Sequence, residues 1–330
     1  MPGSDTLSIL DGSTFVVSDR RGDIEARADQ PHGLFFRDTR FLSRWRLRLD
    51  DEPLAALSTD DVDYFAAQFF LIQPTGTIYE NPSLSVVRQR YVGDGFHEDL
   101  VLLNHAPKPV QARARLDAGA DFADLFEVKD ALHKKGELFR EVREHELVLG
   151  YRRGDFVRQT SIWASSDDVT IDQDGLTFQV SIPPHGRWET CIEVTPRAEQ
   201  QVHVKYNPHA SGGTRPRPNT SDSLEAWLAN APTLETEWDD LRHIYRRSLV
   251  DLAALRFYPE GAPDGASVPA AGLPWFMALF GRDSLITSYQ ALPFAPELAK
   301  TTLQVLAARQ GQRVDDFRDE EPGAFCTSCG

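Results

Sequence analysis

Residues 272–284 read Gly-Leu-Pro-Trp-Phe-Met-Ala-Leu-Phe-Gly-Arg-Asp-Ser and gather Trp275, Phe276, Arg282 and Asp283 into one short stretch. Their chemistry suits a neutral sugar. Hydroxyl groups both donate and accept hydrogen bonds, whereas a guanidinium only donates and a carboxylate only accepts. Side by side, Arg282 and Asp283 can grip neighbouring hydroxyls of one terminal sugar through charge-assisted bonds. Trp275 and Phe276 offer flat apolar faces to the C–H face of a pyranose ring. Gly281 lets the backbone turn just before the pair. The same residues also admit a structural reading, in which Arg282–Asp283 is a local salt bridge and Trp275–Phe276 belongs to a core.

An element must hold this stretch in place. Asp283 is a good N-cap residue, and the spacing predicts a helix opening there with Leu285, Ile286, Tyr289 and Leu292. A further helix is expected from Pro296-Glu297, with Pro in its first turn, carrying Leu298, Val305 and Leu306 and stopping at Gly311. Upstream, Leu234, Trp238, Leu241, Tyr245, Leu252 and Leu255 share one face at steps of three and four, with Ser248 as the small exception. Before these comes a different pattern. Trp45, Leu47 and Leu49 alternate with Arg44, Arg46 and Arg48. Residues 110–116 and 176–182 alternate in the same way. Period two with one polar face marks antiparallel strands whose other face is buried. Turn signals recur at Asp11-Gly12, Gly93-Asp94-Gly95, Arg153-Gly154-Asp155 and Asp174-Gly175. The expected fold class is therefore β followed by α. Residues 1–206 form a large antiparallel β-sandwich, residues 207–222 (rich in Pro, Gly and Ser) a linker, and residues 223–330 a helical domain.

The composition excludes several functions. With 330 residues the chain is long enough for two domains, and 41% apolar and 26% charged residues suit a globular protein. A net charge of −15 argues against nucleic acid and against an anionic membrane surface, and imposes nothing against a neutral polysaccharide. No apolar run approaches the ~20 residues of a membrane span. The N-terminus shows no basic region followed by an apolar one, so a cytoplasmic location is expected. Three cysteines do not make a disulfide framework: Cys191 reads as a buried strand residue, and Cys326-x-x-Cys329 is a lone pair short of the about four ligands of a zinc site.

Other candidates read as structural. His32 with Arg37-Asp38-Thr39-Arg40 suggests a strand-turn segment with internal salt bridges, the alternative being substrate contact from a loop. Asp121, Asp124, Glu127 and Asp130 fit no calcium-loop spacing and suggest a solvated acidic face. There is no phosphate loop, no G-x-S-x-G and no dinucleotide fingerprint, so no cofactor and no metal is expected.

Gly-Leu-Pro-Trp-Phe followed by Phe-Gly-Arg-Asp-Ser-Leu resembles the first substrate loop of the glycogen-debranching, amylo-α-1,6-glucosidase-like enzymes, among the glucoamylase-like glycoside hydrolases. His32 to Ser43 (HGLFFRDTRFLS) and Asp121 to Val128 (DFADLFEV) are similar to the N-terminal β domain of bacterial enzymes of that kind. The resemblance runs to about Gly323. It implies a β-sandwich joined to an (α/α)6 six-hairpin domain, an α-glucan substrate such as glycogen, and hydrolysis of α-glucosidic bonds, in particular α-1,6. It implies an inverting two-carboxylate mechanism. Trp275, Arg282 and Asp283 match the sugar-binding loop and not the acid and base.

An (α/α)6 toroid needs about twelve helices, on the order of 190 residues. The segment after the linker is shorter, so an incomplete helical domain is expected, with the catalytic acid and base outside this chain and the chain inactive alone. Glu320 and Glu321 are adjacent and cannot easily flank one bond from opposite faces. They read as a solvated charged loop or as part of a substrate loop. Two alternatives stand beside hydrolysis of a branch: a non-catalytic glucan-binding or packing module, and a related hydrolase such as a trehalase-like enzyme.

Overall fold

The alternation around Trp45 becomes a real strand with its aromatic and aliphatic side chains inward and its arginines outward. The computed structural model describes residues 6–27, 30–74, 83–129, 134–198, 220–259, 266–315 and 320–324. The first part of the chain holds β1 (Thr6–Asp11), β2 (Thr14–Asp19), β3 (Ile24–Glu25), β4 (Gly33–Phe36), β5 (Thr39–Leu42) and β6 (Arg44–Leu49). Next come β7 (Glu52–Pro53), β8 (Ala55–Asp63), β9 (Ala66–Ile72), β10 (Leu84–Val92), β11 (Phe96–Asn104), β12 (Val110–Gly119) and α1 (Leu125–Lys129). β13 (Glu137–Arg143), β14 (Glu146–Arg153), β15 (Phe156–Ala164), β16 (Val169–Asp172), β17 (Gly175–Ile182) and β18 (Arg187–Ala198) follow. The last part contains α2 (Thr220–Asn230), α3 (Asp239–Ala254), β19 (Arg256–Phe257), β20 (Val268–Pro269), α4 (Gly281–Ala291) and α5 (Pro296–Ala308). A large antiparallel β region thus precedes a small helical one. No described helix is long and apolar enough to cross a membrane.

Two compact units divide the chain, Met1–Leu10 with Thr14–Pro218 and Asp11–Ser13 with Asn219–Gly330. In the first, an eight-stranded sheet runs β13-β14-β15-β18-β11-β10-β9-β8, so that β13 and β8 are its outer edges. A second sheet runs β16-β17-β12-β6-β3, and a third β1-β2-β4-β5. The eight-stranded sheet packs on the second. Trp45 of β6 meets Phe96 of β11 edge to face at 5.6 Å, and Phe178 of β17 meets Trp188 of β18 at 5.3 Å. Leu47, Leu116, Phe178, Leu100 and Ile192 fill the space between and are almost wholly buried. Each turn signal read in the sequence falls at a junction between two of these strands.

The outward arginines are not a plain solvent face. Arg46 and Arg48 of β6 close on Asp117 of β12 at 3.2 and 2.9 Å, and Arg115 bridges Asp117 to Asp172. Nor is the core wholly apolar. Arg88 and Arg90 lie on the inward face of β10, fully buried, in line with Leu84, Val86 and Val92. Glu98 of β11 takes Arg88 Nε at 3.0 Å and Arg90 Nε at 2.8 Å, and Trp45 Nε1 donates to it at 3.3 Å. Asp23 takes Arg88 Nη1 at 2.6 Å and the Leu47 N–H at 3.1 Å. Arg90 also lies over the Phe96 ring at 4.7 Å. Burial alone would raise the Glu98 carboxyl, but the charges of Arg88 and Arg90 outweigh it and hold it below the usual carboxylate range.

His97 forms a second charged cluster. It pairs in register with Glu193 of β18, its Nδ1 against that carboxylate and its Nε2 3.1 Å from Asp99. Burial would lower its pKa, but hydrogen bonds to Asp99 and Glu193 and their charges raise it to about 9. A histidine raised above its ordinary 6.5 contributes stability that is fully present below pH 6.5 and lost as pH rises through about 9. The chain should therefore lose ~2 kcal/mol between those limits, allowing for residual solvent access. Denaturation at stepped pH checks this. The loss should flatten in His97→Gln, and an equal loss in that variant would remove His97 as its cause.

The helical unit departs from the periodicity in three places. α2 starts at Thr220, inside the segment read as linker, of which residues 207–219 lie outside the described residues. α3 starts at Asp239, leaving Leu234 and Trp238 ahead of it, and buries Leu249, Ala253 and Ala254. α4 starts at Gly281 and not at Asp283, with Phe280 as an extended N-cap that makes no side-chain hydrogen bond. Its buried face is Gly281, Ser284, Ser288 and Ala291, while Ile286 and Tyr289 point outward. Small residues explain this: they let α4 approach α5 closely enough for Ser288 Oγ to reach Thr302 Oγ1 at 2.9 Å. α5 starts at Pro296 and buries Leu298, Val305 and Leu306.

Candidate functional site

A short antiparallel ribbon positions the aromatic loop. β19 pairs with β20, and the Ala270 N–H returns to the Leu255 carbonyl at 2.8 Å. The chain then closes a tight loop: the Phe276 N–H donates to Gly272 O at 2.9 Å, and the Gly272 N–H to Phe276 O at 3.1 Å. Gly272 has φ +151, a conformation open to glycine, and the Leu273–Pro274 peptide is cis. Inside the loop Pro274 is buried, Trp275 half-buried and Phe276 exposed. Met277 and Leu279 turn inward at 3% and 2% exposure and anchor the approach to α4. Phe276 stands edge-on to Phe280 at 5.5 Å, which brings the aromatic loop against the residue that caps α4. Ser284 Oγ donates to Pro269 O at 2.8 Å and ties the first turn of α4 to β20.

Arg282 and Asp283 stand in that first turn. Arg282 is exposed and Asp283 half-buried. Neither is sealed in a core, and no side-chain hydrogen bond or ion pair joins either to another described residue, so they form no local salt bridge. Arg282 and Asp283 thus stand in the first turn of α4, and of the aromatic loop Phe276 reaches the residue that caps it.

Glu320 and Glu321 are differently engaged. The Gln312 N–H donates to Glu320 at 3.0 Å, and Arg313 lies 3.7 Å away. The Gln312 and Arg313 N–H groups, with the Arg313 charge, hold the Glu320 carboxyl below its ordinary range. Glu321 is exposed, and its carbonyl accepts the Ala324 N–H at 3.0 Å. Among the described residues no hydrogen bond or ion pair links either glutamate to the loop of Trp275 or to Arg282 and Asp283. Cys191 is a buried cysteine in β18, and Cys326 and Cys329 lie outside the described residues.

The acidic residues read as a solvated face are not one. Asp121 holds Arg40 through two bonds at 3.1 and 2.5 Å. Asp124 accepts the Phe126 and Glu127 N–H groups at 3.0 and 2.8 Å, while Glu127 takes the Asp124 N–H at 2.9 Å. That is a reciprocal cap on α1, and the spacing Asp-x-x-Glu ahead of an apolar residue could have announced it. Asp130 lies outside the described residues. Sequence reasoning also missed a cleft in the β unit lined by Arg44, Arg140 and their neighbours. Arg44 was visible only as the polar half of an alternating strand.

In fold, the chain is similar to a protein assigned as a kojibiose phosphorylase from the human microbiome, with a TM-score of 0.59 at 9% identity. The likeness covers 92% of this chain and 47% of that protein, so the chain spans about half its length. Weaker likenesses join it to a protein assigned as an aldose 1-epimerase from Escherichia coli K12 (TM-score 0.32, 7% identity, 58% of this chain and 99% of that one). Another is a galactose mutarotase related enzyme from Lactobacillus acidophilus (TM-score 0.34, 8% identity, 60% and 100%). No curated protein matches the sequence. Residues 9–193, which carry the β unit from β2 through most of β18, match the family described as the N-terminal domain of some glycogen debranching enzymes, and the chain belongs to that family.

Proposed function

We propose that this chain is the N-terminal portion of a glycogen-debranching-type glycoside hydrolase acting on α-glucosidic bonds, α-1,6 branches foremost. Arg282 and Asp283 clasp neighbouring hydroxyls of the terminal glucose, and Trp275 and Phe276 pack on its ring. The observation that carries the reading is that this cation and anion are accessible, without partners among the described residues, and at the same helix end as the aromatic loop. An Arg–Asp pair engaged in a salt bridge would have few bonds left to give.

α2–α5 are, in this reading, the first helices of an (α/α)6 domain, with residues 1–206 as β domain and a connection that ends where α2 starts at Thr220. The outward apolar side chains support it. Ile286, Tyr289 and Leu303 are 51%, 75% and 59% exposed, which suits a helix layer that packs against further helices. Inversion uses two carboxylates about 6.5–9.5 Å apart on opposite faces of the sugar. Glu320 and Glu321 are sequence neighbours, and Glu320 is occupied by Gln312 and Arg313, so neither is assigned as acid or base. Those roles fall to residues outside this chain.

The test is glucose release from an α-1,6-branched limit dextrin, measured for this chain and for a protein that continues it through a full helical domain. Release by the longer protein, with inverted anomeric configuration and little release by the chain alone, is the expected result. Release of glucose from trehalose in place of the dextrin would redirect the assignment to a trehalase-like enzyme. No release from any glycoside would overturn it.

A further inference from the structure

The β unit contains an open cleft of about 600 Å³, in the size range of small-ligand sites. It is lined by the start of β6, the end of β12, the α1 segment and the β13–β14 hairpin. Nothing in the proposed reaction uses it. Three of its five cations are matched within the lining: Arg27 to Glu25 at 2.9 Å, Arg40 to Asp121 at 2.5 Å and Lys134 to Glu127 at 2.8 Å. Arg44 and Arg140 have no carboxylate of the lining. Both turn to a single acid outside it, Asp174, at 3.8 and 2.5 Å, and that carboxylate is itself 67% exposed. Arg44 Nε is buried without a hydrogen-bond partner, although its Nη2 reaches the Ala118 carbonyl at 3.2 Å. Two guanidiniums thus converge on one largely exposed anion, at the edge of a cavity, in a chain whose net charge is −15.

We propose that this cleft binds a phosphate ester of hexose size, the phosphate between Arg44 and Arg140. A phosphate dianion presents several acceptor oxygens, and guanidinium forks match them two at a time. It would balance the charge that Asp174 alone leaves uncompensated. Glu25 and Asp121 can only accept, and the lone pairs left beside their bonds to Arg27 and Arg40 suit the hydroxyl protons of the sugar. A neutral glucan is the poorer fit. The one aromatic of the lining, Tyr151, is 2% exposed, and Lys134 covers its ring at 5.4 Å, so no flat face is offered to a pyranose. Recognition in this cleft runs through charge and not through stacking. The same chemistry is carried by a free hexose phosphate and by a phosphate ester on a glucan chain.

The test is calorimetric titration of the full chain with glucose 6-phosphate, phosphorylated maltodextrin, inorganic phosphate and unphosphorylated maltotetraose. Saturable binding of one or both phosphate esters is expected, the tighter of the two naming the source, with weaker binding of inorganic phosphate. Arg44→Ala and Arg140→Ala should each weaken it about tenfold or more. Both side chains are partly solvent-accessible, so unchanged melting of these variants should accompany the loss. Arg143→Ala removes a nearby charge outside the lining and should change nothing. Glucose 6-phosphate binding that survives the Arg44→Ala/Arg140→Ala double variant overturns the proposal, as does maltotetraose binding as tightly as the esters once Arg282→Ala has removed the clasp on α4, or no binding of either ester. The site is independent of the glucan clasp on α4. Arg282→Ala should leave glucose 6-phosphate binding intact, and a dependence of that binding on Arg282 would move the site elsewhere.

Discussion

Replacing Glu98 by alanine should cost the β unit ~3–5 kcal/mol, a large share of the ~5–15 kcal/mol that holds a domain together. The carboxylate is the hub for Arg88, Arg90 and Trp45, all fully buried. Without it two guanidiniums remain in the core with Asp23, backbone carbonyls of Arg21 and Gly22, and the faces of Phe69 and Phe96 for company. An uncompensated buried cation destabilises far more than the pair stabilised. Replacing the set together, by Arg88→Met, Arg90→Met, Glu98→Leu and Asp23→Asn, should recover most of the loss, because no charge is then stranded. Urea denaturation midpoints measure both. A Glu98→Ala protein within about 1 kcal/mol of the wild type would show the network to be idle. Acid should act in the same direction. A carboxylate held below its ordinary value of 4.5 contributes stability that is present above that pH and lost as pH falls through its folded value.

Arg282→Ala should weaken retention of a branched limit dextrin about a hundredfold, equivalent to ~3 kcal/mol, since one guanidinium clasping two hydroxyls forfeits two charge-assisted bonds. The side chain is exposed and makes no bond to another described residue, so folding stability should move by less than about 0.5 kcal/mol. That separation is the diagnostic feature: lost affinity with unchanged melting. Asp283→Asn should cost less, because the amide keeps an acceptor oxygen. Affinity electrophoresis in a dextrin-containing gel reads the difference, and equal retardation of Arg282→Ala and wild type would remove this helix end from the glucan site.

The contrast between these two clusters explains what the sequence could reveal. Trp275, Phe276, Arg282 and Asp283 lie in one segment, so their juxtaposition is local and visible in the residue order. Arg88 and Asp23 are 65 positions apart, and nothing local says that they meet. Strand alternation also misleads there. Arginine at positions 88 and 90 scores as polar, yet continues the inward row of Leu84 and Val86, because partners on other strands offset its desolvation. The strands at Arg44–Leu49 and Gly175–Ile182 were legible because one face really is apolar throughout. α4 was legible in existence but not in orientation. Its inward face is made of glycine, serines and alanine, which hydrophobic periodicity cannot weigh against the isoleucine and tyrosine on the other side. The cleft of the β unit was invisible for the same reason as the core network: Arg44 and Arg140 are joined only by the fold.

The two outer strands of the eight-stranded sheet carry one more consequence. β13 offers Glu137, Arg140, Glu141 and Arg143 along its length, and β8 offers exposed Asp60 and Asp63. An open sheet rim is a template on which a like molecule could add its own strand. Here exposed Leu138 and Val142 on β13 and Leu57 on β8 are interleaved with ions that an incoming copy would have to strip of water or meet with the same sign. Those charges discourage growth of the sheet into longer cross-strand stacks at both margins.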